Sequence, residues 1–234
     1  MPTPSLRARA FSLIELVVVI SVLAIIAAFS VPAVTSMLKG SSLTQASQLL
    51  VDQMNLARQL ALSRNTIIEV RVYRYSDPDS PGEDVTKPEE GKFRAMQVFE
   101  VLPSGAALPV GKFEEFPNSI MLSANRETPD SGISSLLDKG NIKKPEDFGK
   151  KDPYHISLPE LPKGIKKQYQ FVHFRFMPDG STTLGPTSLW FLTLHGINDR
   201  QKSKNGKVGP PDNFFTLQID PVTGATKIFR PTAG

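Results

Sequence analysis

Residues 16–38 carry no charged side chain, an uninterrupted run of 23. At about 1.5 Å per residue a helix of that length spans a hydrocarbon layer ~30 Å thick. Arg7 and Arg9 precede the run and Lys39 is the next cation. Positive charge ahead of the apolar segment favours a cytoplasmic leader and export of the chain beyond the segment. The averages conceal this segment: the whole chain is 40% hydrophobic, with a mean hydropathy of −0.16.

Three ordinary readings fit such a run: a buried core helix, a cleaved signal peptide and an uncleaved anchor. The run is long for a core helix. A small-x-small cleavage site can be drawn near residues 31–33, but the apolar stretch exceeds the usual signal-peptide core. Glu15 argues against all three. It lies four residues beyond the polar–apolar junction at Phe11, and a carboxylate in a membrane segment costs on the order of 2.5–3.5 kcal/mol. Such a group needs a partner, and the nearest candidate is an α-amino group created by cutting between Ala10 and Phe11.

The string Ala10-Phe11-Ser12-Leu13-Ile14-Glu15, followed by the apolar run, resembles the class III signal of type IV pilins and type II secretion pseudopilins. The resemblance implies cleavage before Phe11 by a membrane-embedded prepilin peptidase, then N-methylation of Phe11. It also implies that Glu15 pairs with the Phe11 ammonium of a neighbouring subunit during assembly, and that Pro32 is a helix-breaking position. Ala10 departs from the usual glycine but keeps a small side chain.

Beyond the run, 39–42 reads as a break or helix restart with Ser42 as a cap. Leu43, Ala46, Leu50, Met54, Ala57 and Ala61 then recur at spacings of three and four, widened by Leu49, Leu56 and Leu60. Gln45, Gln48, Asp52, Arg58 and Gln59 fall mostly on the other side, giving an amphipathic helix that ends near Arg64 and Asn65. From residue 66 to 75 the period becomes two. Ile68, Val70 and Val72 face one way and Glu69, Arg71 and Tyr73 the other, as in a half-buried strand. Residues 76–91 read as an acidic, proline-rich loop, and 93–102 as the second strand of a hairpin. Strands are also predicted at 120–122, 170–177, 189–194, 214–219 and 225–229, and a short helical turn at 133–137. The polar stretch 125–152 reads as an insertion, and 198–209 as a basic loop.

The resulting organisation is a leader at 1–10, a membrane-spanning assembly helix at 11–38, an amphipathic helix at 39–65 and a β-rich head at 66–234. The fold class is α+β: a long helix packed on a mostly antiparallel, pilin-like sheet. The turns Met177-Pro178-Asp179-Gly180 and Asp220-Pro221-Val222-Thr223-Gly224, with the string from Leu56 to Asn65 at the helix end, resemble H-type minor pseudopilins and FimT-like minor pilins. The ending Ile228-Phe229-Arg230-Pro231 makes the pseudopilin-like "cassette protein D" group of Verrucomicrobia the most similar. The resemblance implies a bacterial inner-membrane protein with a cytoplasmic leader and a periplasmic head. Its implied partners are other pilin-like subunits and a prepilin peptidase.

No catalytic constellation accompanies this pattern, and the chain reads as a structural subunit rather than an enzyme. With no cysteine there is no disulfide, thiolate metal site or cysteine nucleophile. His155, His173 and His195 lack metal-ligand spacing, and His173 reads as a sheet-surface residue. The stretch Gly105 to Lys112 fails as a phosphate loop, having five residues between its glycines and no Ser or Thr after Lys112. Asp77, Asp79 and Gly82 resemble the start of a calcium loop, but Pro81 and Pro88 occupy ligand positions and Glu89 is one residue late. No cofactor or metal is implied. Lys163, Lys166 and Lys167, and Arg200, Lys202, Lys204 and Lys207, form two basic clusters that suit nucleic-acid phosphates. The alternative function is therefore a DNA-binding minor pilin; a plain membrane-anchored periplasmic domain is a further one. Loss of the leader leaves 25 basic against 23 acidic side chains, a net charge of +2, and no aromatic interleaves residues 200–207 for base stacking.

Overall fold

The computed structural model describes residues 12–80, 82–124, 134–139, 142–144, 168–199, 202–204, 207–209 and 211–231. Its contacts divide the chain into two units, 1–41 and 42–234. One helix, α1 (Leu13–Arg64, 52 residues), contributes to both.

In the first unit every described residue from 12 to 28 is exposed, including Leu16, Ile20, Leu23 and Ile26. Ser21 turns its hydroxyl back onto the Val17 carbonyl at 2.7 Å, so the polar atom is satisfied within the helix. Among the described residues no helix is long and apolar enough to cross a membrane. The apolar run of the sequence extends into 29–39, whose side chains lie outside the described set.

The breaks expected at Pro32 and at 39–42 are corrected: helix α1 continues through both. A proline inside a helix removes one hydrogen bond and crowds the preceding turn, but this is compatible with a helix that bends rather than ends.

In the second unit α1 follows its sequence stripe. Leu43, Ala46, Leu50, Met54, Ala57 and Ala61 are buried, while Gln45, Gln48, Asp52 and Gln59 are exposed. The three alanines let the helix approach the sheet closely. The helix ends in a Schellman turn: Asn65 takes a positive φ of 51°, and the Thr66 N–H reaches back to the Ala61 carbonyl at 3.3 Å.

The sheet is built from β1 (Ile67–Tyr75), β2 (Lys92–Val101), β3 (Ala107–Pro109), β4 (Glu114–Glu115), β5 (Ile120–Leu122), β6 (Gln170–Phe176), β7 (Trp190–Gly196), β10 (Phe214–Ile219) and β11 (Thr226–Phe229). Among the described residues its order is β11-β10-β7-β5-β2-β1-β6, with β3 and β4 also on β2, and every pairing is antiparallel. The α+β class, a helix followed by an antiparallel sheet, is thus the observed one. The five-residue α2 (Ser135–Lys139) sits where a helical turn is predicted; its Ser134 and Ser135 hydroxyls accept the Thr193 and Phe191 N–H groups of β7.

The core lies between α1 and one sheet face. It joins the helix stripe to Ile68, Val70, Val72, Met96, Val98, Phe174, Leu192, Leu194, Phe215 and Leu217. Each fully buried aliphatic or aromatic side chain contributes about 1.5–3 kcal/mol.

Two expectations need correction. Strand β1 is not half-buried, because its second face is buried as well. There Tyr73, Tyr75, Phe99, Phe113, Tyr169 and Phe171 form a separate aromatic cluster, with Glu69 and Arg71 buried alongside. The basic stretch 198–209 is not simply a loop: β8 (Lys202–Lys204) and β9 (Lys207–Gly209) pair as an antiparallel ribbon.

Candidate functional site

The apolar helix begins with a specific local structure. Ser12 occupies the cap position. Its Oγ accepts the Glu15 N–H at 3.2 Å, and its own N–H donates to Glu15 Oε2 at 3.3 Å. The Ser12 carbonyl accepts the Leu16 N–H at 3.2 Å, closing the first helical turn. This is a capping box, the reciprocal bonding made by Ser or Thr with Glu three residues later. It gives the Glu15 carboxylate a partner inside the chain, at the helix end whose dipole favours negative charge. The sequence carried the signal as Ser12-x-x-Glu15, which spacing alone could have identified. One carboxylate oxygen is engaged by the box.

Ala10 and Phe11 lie outside the described residues, as do Lys163, Lys166, Lys167, Arg200 and His155. Pro32 lies within α1, but its side chain is not described. Of the second basic cluster, Lys202, Lys204 and Lys207 are placed by the ribbon register. Lys204 is in register with Lys207, and Lys202 with Gly209.

The two turns singled out in the sequence meet. The Thr182 N–H and hydroxyl both donate to the Pro221 carbonyl, at 2.9 and 3.0 Å. Arg58 Nε of α1 donates to the Thr223 carbonyl at 3.0 Å, tying the second turn to the helix. Asp179 accepts the Ser181 hydroxyl and N–H, while Asp220 accepts the Val222 and Thr223 N–H groups. These hydrogen bonds hold both carboxyls below their usual range: for Asp179 the Ser181 hydroxyl leads, and for Asp220 the Val222 N–H. Gly224 has φ +65°, and a Cβ there would lie 2.2 Å from the Gly180 carbonyl oxygen. The turn–turn contact therefore requires glycine.

A buried ion cluster, absent from the sequence reading, joins β1 and β6. Glu69 accepts Arg71 Nε at 2.6 Å and Arg175 Nε at 2.8 Å. The Arg71 guanidinium lies 3.9 Å from the centre of the Phe99 ring. Burial pushes the Glu69 carboxyl up, but Arg71, His173 and Arg175 overcome that and hold it low. His173 is half-buried opposite Arg71 rather than on an open surface, and burial pushes its pKa down.

The acidic loop 76–91 is pinned to the sheet. Arg94 reaches Asp77 at 3.0 Å and both Glu83 oxygens at 2.8 Å, and Lys92 also pairs with Glu83. Asp77 further accepts the Asp79 N–H and the Ser80 hydroxyl. Of the carboxylates that resembled a calcium loop, Asp77 is thus engaged by a protein cation. Among the described residues no group of three His, Asp or Glu side chains is arranged to hold a metal. A pocket of about 150 Å³ opens beside Tyr75, Asp77, Arg94 and Glu115; the Tyr75 hydroxyl donates to Glu115, and burial drives its pKa far up.

Residues 5–31 match the prokaryotic N-terminal methylation motif. That span takes in residues 5–10, the Ala10–Phe11 junction, the capping box and residues 16–31 of the apolar run. Comparison with curated proteins gives no match. Among solved structures the chain is similar to the crystal structure of the type IV minor pilin FimU of Pseudomonas aeruginosa (strain PAO1). The identity is 14%, over 82% of this chain and 94% of that one, at a TM-score of 0.40. The likeness is loose, and the functional reading rests on the motif and on the residues.

Proposed function

We propose that the chain is a structural subunit of a type IV pilus-like or type II secretion filament, of the minor pilin or pseudopilin kind. The observation that carries this reading is the methylation motif over 5–31, set on the start of a helix whose apolar side chains from 13 to 26 are exposed. Residues 13–26 offer eleven large exposed apolar side chains. Covering them releases on the order of 20 kcal/mol, whether the cover is lipid or neighbouring helices. A segment that is stable in either setting suits a subunit stored in the inner membrane and then extracted into a filament.

In this account a prepilin peptidase cuts between Ala10 and Phe11, and Phe11 is N-methylated. The Ser12–Glu15 box keeps the first turn helical and presents the second Glu15 oxygen to the Phe11 ammonium of a neighbouring subunit. The head stands on the periplasmic side. Its locked turns at 177–181 and 220–225 support the finer H-type, cassette protein D-like reading. The test is fractionation of cells making the full chain. The protein is expected in sheared filaments together with other pilin-like subunits. Recovery from the membrane alone, under conditions where filaments form, contradicts the proposal.

One observation favours a second reading, contact with nucleic acid. The β8–β9 ribbon carries Lys202, Lys204 and Lys207, with Lys204 in register with Lys207. A two-stranded ribbon fits the DNA major groove, and lysines suit its phosphates. This reading predicts that the detergent-solubilised chain binds duplex DNA with an affinity that falls steeply with salt, and that alanine at all three lysines abolishes binding. Absence of binding at low salt rejects it.

A further inference from the structure

Strand β11 ends the sheet on one side. Among the described residues it pairs with β10 and with no other strand. The phase of its ladder is set by the turn that precedes it. The Asp220 N–H donates to the Ala225 carbonyl at 2.8 Å, so these two residues form a hydrogen-bonded pair. Along the register, Lys227 opposite Gln218 and Phe229 opposite Thr216 then direct their main-chain groups at β10. The N–H and C=O groups of Thr226 and Ile228 point the other way, out of the sheet.

Edges of this kind are blunted by short length, lysine, proline, a bulge or an inward charge; β11 is four residues long and carries Lys227. Residues 226–229 contain no proline, and their register with β10 is unbroken. Ile228 is 50% exposed and Phe229 38%. The one charge on the strand, Lys227, lies 5.2 Å from the Phe229 ring centre. Further cations stand at either end: Arg58 on the Thr223 carbonyl, and Arg230 on the Ser47 hydroxyl and over the Phe215 ring. The neighbouring carboxylates, Asp179 and Asp220, are turned into their own turns. Among the described residues the edge therefore offers main-chain donors and acceptors that no strand pairs, exposed apolar side chains and a positive border.

We propose that the free edge of β11 is a strand-addition site that takes an extended segment with acidic side chains from a different subunit of the filament. Main-chain bonding supplies affinity in this mode, and alternate side chains supply specificity. A second copy of this chain is a poor donor. Its acidic stretch, 77–90, contains Pro78 and Pro88 and is held to its own sheet by Arg94. The inference rests on the subunit reading above.

The chain has no cysteine, so one substitution introduces a unique thiol. Full-length Thr226→Cys, at the edge, and Val222→Cys, at the exposed turn tip, are each treated with a maleimide–polyethylene glycol in the membrane fraction and in sheared filaments. Thr226→Cys is expected to label about tenfold more slowly in filaments than in membranes, as occupied edges are protected, while Val222→Cys labels alike in both. Equal labelling of Thr226→Cys in the two fractions overturns strand addition and leaves the subunit reading standing. Absence of the chain from filaments fails the subunit reading and removes this one with it. Ile228→Pro deletes an outward N–H without breaking the β10 ladder, a substitution that edge strands tolerate. Combined with Thr226→Cys it is expected to restore labelling in filaments or to lower incorporation; unchanged protection with unchanged incorporation also overturns the proposal.

Discussion

Glu15 has two tasks in this account, and they separate by substitution. Ser12→Ala removes the cap, at a cost of about 1 kcal/mol in helix stability, but keeps the carboxylate. Glu15→Gln keeps the reciprocal bond, since Gln also closes a capping box, but loses the charge. The expected order of incorporation into sheared filaments is wild type, then Ser12→Ala close behind, then Glu15→Gln far below. If Glu15→Gln assembles normally and Ser12→Ala fails, the carboxylate serves the helix alone. Gly224 tests the head independently. Gly224→Ala combines a positive φ with a Cβ driven against the Gly180 carbonyl oxygen, and is expected to destabilise the detergent-solubilised chain by about 3 kcal/mol in a denaturant melt. A change below about 0.5 kcal/mol would mean that the two turns do not lock as described.

Among the elements, legibility followed the sidedness of burial. The stripe from Leu43 to Ala61 was readable because α1 buries one face, and period 3.6 is then written in the residue types. Strand β1 was only half readable. Its alternation assigned Ile68, Val70 and Val72 to the helix side, but nothing in the order of Glu69, Arg71 and Tyr73 discloses that their face is covered too, because burial there depends on ion pairs with distant β6. The β8–β9 ribbon was missed for a related reason: Lys-Ser-Lys shows no apolar alternation, and its pairing rests on main-chain bonds. The capping box is legible as well, as a Glu three residues after Ser12. Glu69 supplies the element-scale prediction. Glu69→Ala leaves Arg71 buried without its carboxylate and is expected to cost about 3–5 kcal/mol by denaturant melt. A cost near that of a surface substitution would show that the cluster contributes little.

Taken as a whole, the molecule joins a β-rich head to an apolar helix, and its acid response belongs to the head. His173 and His195 have pKa values pushed below 6.5 chiefly by burial, so the unfolded chain takes up protons first as pH falls and stability declines below about 6.5. Glu69 lies below 4.5 in the folded chain. Its contribution is present above that value and is lost as pH falls through the folded pKa. A thermal melt of the solubilised chain is therefore expected to show a Tm that falls from about pH 6.5 downward, with a steeper limb below about pH 4.5; a Tm that rises on acidification contradicts these assignments.

The central claim is that the apolar helix is a processed assembly segment, not a signal to be discarded or a plain anchor. The mass of the N-terminal peptide of the mature protein, isolated from membranes of cells containing a prepilin peptidase, tests it most directly. The account predicts a chain beginning at Phe11 and carrying one methyl group on that nitrogen. An intact Met1, or a start just beyond residues 31–33, would contradict it.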